Sequence, residues 1–175
     1  LMMRGLWSYA THTQLTEGTS SGPGWTSILT GVEANVHGIS SNGGYDNRNT
    51  KYPSFLYRAR YELGLSTAAT IQWEDIWSIL EDDAYDAGSG GSMAEVSETM
   101  AGMIRSGLYQ VHFSHLDDVD GAGHHGGYLA SESLYYETVQ IADGMIGDMV
   151  NAILERPEIE TEHWLVLVTS DHGGD

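Results

Sequence analysis

Apolar residues recur at helical spacing through residues 92–105, where Met93, Val96, Met100, Met103 and Ile104 fall on one face. A methionine stripe of this kind predicts a core-facing helix. Residues 131–156 carry the longest helical stretch, with Ser131 as its cap and Pro157 beyond its end. Residues 53–63 read as a helix opened by Pro53 and closed by Gly64. Residues 23–30 read as another, with Trp25, Ile28 and Leu29 on one face, Pro23 in the first turn and Gly31 at the exit. Ser21 and Gly22 fall at its cap. Residues 74–80 predict a turn or two of helix, and residues 1–7 the tail of one. Strand-like runs lie at residues 8–14, 66–72 and 108–114. Trp164-Leu-Val-Leu-Val168 is continuously apolar, the pattern of a strand buried on both faces of a sheet. Residues 43–49 are turn-rich, 81–91 read as an acidic surface loop, and 117–128 as a Gly-rich loop.

Strands alternating with helices predict an α/β fold, a mostly parallel sheet with helices on both faces, as a single domain over residues 1–175. In such sheets the chemistry lies beyond the C-terminal ends of the strands. Three loops belong at that edge: residues 20–24, 117–127 and 170–174.

Composition narrows the classes. The apolar share is 41% of 175 residues, a globular proportion. Cysteine is absent, which excludes disulfides and thiolate metal sites and leaves the compartment open. The formal charge is −18 with 7 Lys and Arg, which argues against nucleic acid held on a basic surface. An anionic substrate would be repelled unless cations reverse the local field. No run is long and apolar enough to read as a membrane segment.

Against that acidic background, two glycine-flanked motifs stand out. Asp120-Gly-Ala-Gly-His124 follows one strand, and Asp171-His172-Gly follows another. Carboxylate and imidazole donors together suit zinc or a similar cation such as manganese. Ser21 sits just before a helix, where free N–H groups and the helix dipole hold anions. Its hydroxyl reads either as a nucleophile or as a helix cap.

These motifs, taken together, resemble the alkaline phosphatase superfamily, closest to its type I phosphodiesterase/nucleotide pyrophosphatase branch. The carriers are Thr19-Ser-Ser-Gly-Pro-Gly-Trp with Leu29-Thr-Gly, His37-Gly-Ile-Ser-Ser-Asn42, Asp120-x-x-Gly-His124-x-x-Gly, and Thr169-Ser-Asp171-His172-Gly. The resemblance implies a metal-dependent hydrolase of phosphate diesters or nucleotide pyrophosphates, acting through a covalent phosphoserine. It places the nucleophile on Ser21 and a phosphoryl-oxygen ligand on Asn42. It places two ligands of one metal on Asp120 and His124. Asp171 and His172 become ligands of a second metal, which Ser21 also touches. Two divalent ions, zinc foremost, are the implied cofactors, and a small phosphate ester or nucleotide the implied substrate.

The same resemblance implies one further ligand per metal outside these 175 residues: an Asp-Gly at the end of a first strand and a later His. The expectation is an incomplete catalytic domain, with weak metal binding and poor turnover by these residues alone. A sheet edge left uncovered would then favour a homo-oligomer. The alternatives are a superfamily relative acting on phosphate monoesters, phosphonates or sulfate esters, or a non-catalytic α/β binding domain. A sulfatase ranks lower, because Ser21-Gly-Pro-Gly-Trp25 lacks the Arg of the sulfatase setting.

Overall fold

The strand Thr67–Ile71 (β1) is buried along its whole length and is the centre of the sheet. The computed structural model of the chain describes residues 20–43, 45 and 51–174. The expected helix tail at 1–7, the strand at 8–14 and most of the turn at 43–49 lie outside them. Along the chain run α1 (Ser21–Thr30), α2 (Ala34–His37), α3 (Phe55–Leu63), β1, α4 (Asp75–Ile79), β2 (Ala87–Gly90), α5 (Met93–Ser106), β3 (Val111–His115), α6 (Asp118–Gly126) and α7 (Ser133–Leu154).

The strand order is β2-β1-β3, and both pairings are parallel. Ile71 pairs with Gly90 on one side and His115 on the other, so all three strands end at one edge. The fold is therefore the expected α/β arrangement. One face of the sheet carries Ala69 and Ile71, packed with Trp25 and Leu29 of α1, Leu56 of α3, and Ile76 and Ile79 of α4. A second cluster joins Met100, Ala101 and Ile104 of α5 to Ala152 and Ile153 of α7, and α5 packs on β1 and β3. The methionine stripe is core, as its spacing predicts. Burying Leu29 completely contributes about 2 kcal/mol, against about 1 kcal/mol for a typical hydrogen bond. The position of α1, and of Ser21 at its start, is thus set by the core. Among the described residues no helix is long and apolar enough to cross a membrane.

Four expectations are corrected. Residues 81–91 contain β2, an edge strand of Ala-Gly-Ser-Gly whose order comes from its ladder with β1. Residues 117–128 are mostly helical: α6 forms despite its glycines, with Asp118 and Asp120 in the first turn favouring the positive end of the helix. The longest helix starts at Ser133 with Glu132 at its cap, not at Ser131. Residues 164–168 form no ladder among the described residues, and Leu165 and Leu167 are 80% and 81% exposed. An apolar run reports a preference for burial but supplies no strand to pair with. Among the described residues Trp164 is held by Glu162 at its indole N–H (2.7 Å) and by the Arg156 guanidinium 5.4 Å from its ring.

Candidate metal centre

Ser20, not Ser21, is the N-cap of α1, with extended backbone and no hydrogen bond from its side chain to the helix. Its hydroxyl donates instead to Asn42 Oδ1 (3.0 Å). The same Asn42 oxygen accepts the Gly22 N–H at 2.7 Å, so a residue 20 positions away caps the helix. Ser21 is the first helical residue, and its Oγ lies 3.1 Å from His172 Nε2. With Asn42 as the cap, the Ser21 hydroxyl is left to face the loop at 170–174.

Two glycines make that approach close. A methyl group on Gly24 would stand 2.8 Å from the Asp171 carbonyl oxygen. One on Gly22 would stand 2.7 Å from both the Ser41 carbonyl oxygen and the Tyr45 hydroxyl. Only hydrogen fits at either place without displacing backbone.

The 170–174 loop fixes the tautomer of His172. Its Nδ1 lies 2.8 Å from the Gly173 carbonyl oxygen, which can only accept. The ring proton therefore sits on Nδ1, and the Nε2 lone pair faces Ser21. Asp171 Oδ2 lies 3.4 Å from that same Nε2. It is buried and has no hydrogen-bond partner among the described residues. Burial raises the pKa of the Asp171 carboxyl, and the nearby Asp120 adds to the rise.

Across the cavity, α6 presents Asp120 and His124 one turn apart. Asp120 Oδ2 lies 3.2 Å from His124 Nε2. Helical spacing of four residues does here what a folded loop was expected to do. Gln72, just past β1, fixes the start of α6. Its Oε1 accepts from Asp117 N (2.6 Å) and Asp118 N (3.3 Å), and its Nε2 donates to Asp118 Oδ1. Ser21, Asn42, His124 and His172 line one cavity of about 310 Å³, together with Ser20, Tyr128 and Gly173.

The model of the Metalloenzyme superfamily matches residues 71–175. The chain belongs to the metalloenzyme superfamily. The match includes Asp120, His124, Asp171 and His172, whereas Ser21 and Asn42 lie before it. No curated protein matches the chain. Membership implies an enzyme with divalent metal, of the phosphoryl-transfer hydrolase type.

The donors present fit such a cation. Asp171 Oδ2 is a buried carboxylate oxygen without a hydrogen bond, which is costly unless a positive charge meets it. His172 Nε2 offers a lone pair beside it, and Asp120 with His124 repeats the oxygen–nitrogen pairing. The donors stand as two pairs: among the described residues no three His, Asp or Glu side chains gather into one cluster. Sequence reasoning gave no role to Tyr128 or Gln72. The signal for Tyr128 was its place directly after Gly126-Gly127.

Proposed function

We propose that this metalloenzyme hydrolyses phosphate diesters or nucleotide pyrophosphates with Ser21 as nucleophile. The observation that carries the reading is Ser21 Oγ at a helix start, aimed at the lone pair of His172 in a cavity shared with Asn42 and His124. Asp171, His172 and Ser21 would hold one cation, and Asp120 with His124 the other, zinc being the cation these donors favour. Bound cations supply Lewis-acid stabilisation and make an oxygen nucleophile available at neutral pH.

Ser21 Oγ attacks phosphorus, the bond to the departing oxygen breaks, and that oxygen leaves as the alcohol with a proton. Water then cleaves the phosphoseryl ester and restores the Ser21 hydroxyl. The N–H groups of the first turn of α1 do little for the equatorial oxygens. Gly22 N–H is held by Asn42, Pro23 has none, and Gly24 N–H bonds Ser20 O. With its oxygen engaged twice, Asn42 has the two N–H donors of its amide to offer the phosphoryl group. An Asn42→Ala variant is expected to lose about 10²- to 10³-fold in kcat, the cost of one such donor.

The test is hydrolysis of an aryl phosphodiester and of an aryl phosphomonoester by the full-length protein with zinc, followed by acid quench and peptide mapping. Preference for the diester, phosphate trapped on Ser21, and no turnover by Ser21→Ala are expected. Preference for the monoester would overturn the substrate class. Undiminished turnover by Ser21→Ala would overturn the nucleophile.

A further inference from the structure

Tyr128 lies outside the motifs singled out in the sequence, yet it touches one candidate metal-holding pair and packs against the loop that carries the other. Its hydroxyl donates to Asp120 Oδ1 at 2.6 Å. Its ring stands edge-on to His124, with centroids 5.7 Å apart and planes at 77°. On the other side of the cavity, a methyl group on Gly174, two residues past His172, would run into the same ring. So would one on Gly123, the residue before His124. The ring is thus seated between two glycines, one on α6 and one on the 170–174 loop, and it also lines the cavity.

We propose that Tyr128 is a positioning residue that sets Asp120 and His124 in register with Asp171 and His172. This rests on the reading of Asp120 as a metal ligand. Asp120 has two carboxylate oxygens. Tyr128 takes Oδ1, and Oδ2 remains on the side of His124 Nε2, 3.2 Å away. The phenol thereby selects which oxygen is presented to a cation and fixes the plane of the carboxylate. A phenol hydroxyl is an ordinary neutral donor to a carboxylate oxygen. A neutral donor orients the carboxylate without discharging it, as hydrogen-bond partners of metal ligands generally do.

The experiment is zinc titration by calorimetry of the full-length protein and of Tyr128→Phe, which keeps the ring between its glycines and removes the hydroxyl. Asp120→Asn serves as the reference for a lost ligand. The expected result is about 10- to 100-fold weaker zinc binding in Tyr128→Phe, with the melting temperature of the metal-free protein unchanged. Excess zinc should restore its turnover, which it would not do for a merely structural lesion. Wild-type zinc affinity in Tyr128→Phe alongside weakened binding in Asp120→Asn would overturn the role of Tyr128 and leave the ligand reading standing. Wild-type affinity in Asp120→Asn would overturn the ligand reading and this proposal with it. Should Tyr128→Phe fold poorly, Tyr128→Leu also lacks the hydroxyl, fits within the volume of the ring, and is expected to show the same zinc deficit.

Discussion

The chemistry of Ser21 depends on atoms supplied from far along the chain. Asn42 relieves it of capping, and Gly173 holds the His172 proton on Nδ1. The His172 tautomer can be checked by nitrogen-15 shifts of the metal-free protein at neutral pH. Protonated Nδ1 and bare Nε2 are expected, and the reverse would remove the lone pair from Ser21. Gly24 is a sharper case, because two effects of known size compete. Alanine in a helix interior gains about 1 kcal/mol over glycine. The added methyl would press the Asp171 backbone at 2.8 Å, an overpacking that costs about 1–3 kcal/mol. Gly24→Ala is therefore expected to change thermal stability little or lower it by up to about 2 kcal/mol. It should weaken zinc binding more than it moves the melting temperature, since the atoms displaced belong to Asp171. Ser21, Asp120, His124, Asp171 and His172 could be singled out in the sequence because their residue types carry chemistry. The roles of Ser20, Gln72 and Tyr128 could not, because each rests on a partner set by the fold.

Helices and strands were legible where their own residues decide them. The stretch at 92–105 has a regular apolar face, and Ser92 and Glu95 form a reciprocal capping box at its start. Ser92→Ala should cost about 1 kcal/mol, read from denaturant unfolding. Gly64 and Gly107 end α3 and α5 in left-handed backbone, φ 68° and 71°, where a side chain would strain. The misread elements are those that neighbours decide. β2 has no apolar pattern and is a strand because β1 offers it a ladder. α6 contains three glycines, a poor helical composition, yet Gln72 and the acidic first turn hold its start. Residues 164–168 show the converse: a strong strand pattern without a ladder among the described residues.

Two properties belong to the molecule as a whole. The charge of −18 spread over its surface is self-repulsive, so added salt should raise the melting temperature through screening. The second is acid sensitivity. His112, on β3, is largely buried against Trp164, and neither ring nitrogen has a hydrogen bond among the described residues. Burial, with Arg156 nearby, lowers its pKa from an ordinary 6.5 to about 4. The folded state keeps it neutral while the unfolded chain takes up a proton below pH 6.5. Its contribution to stability is therefore intact above pH 6.5 and falls as pH drops toward 4. His112→Leu should flatten that part of the stability–pH curve, measured by melting from pH 7 to pH 4. A variant curve parallel to wild type would show that His112 is not its source. Residues 20–21 and 172–173 meet His124 of α6 in one cavity, and α6 follows β3 at the edge where the parallel strands all end, which is the part of the architecture the motif order made readable.

Everything proposed for the site requires cations at two defined places, and an acidic protein could instead hold them loosely across its surface. Anomalous diffraction at the zinc absorption edge, from crystals of the full-length protein grown with zinc, separates these. The account expects one peak bounded by Asp171, His172 and Ser21 Oγ, and a second bounded by Asp120 Oδ2 and His124. Peaks confined to surface carboxylates, with both pairs empty at saturating zinc, would contradict it.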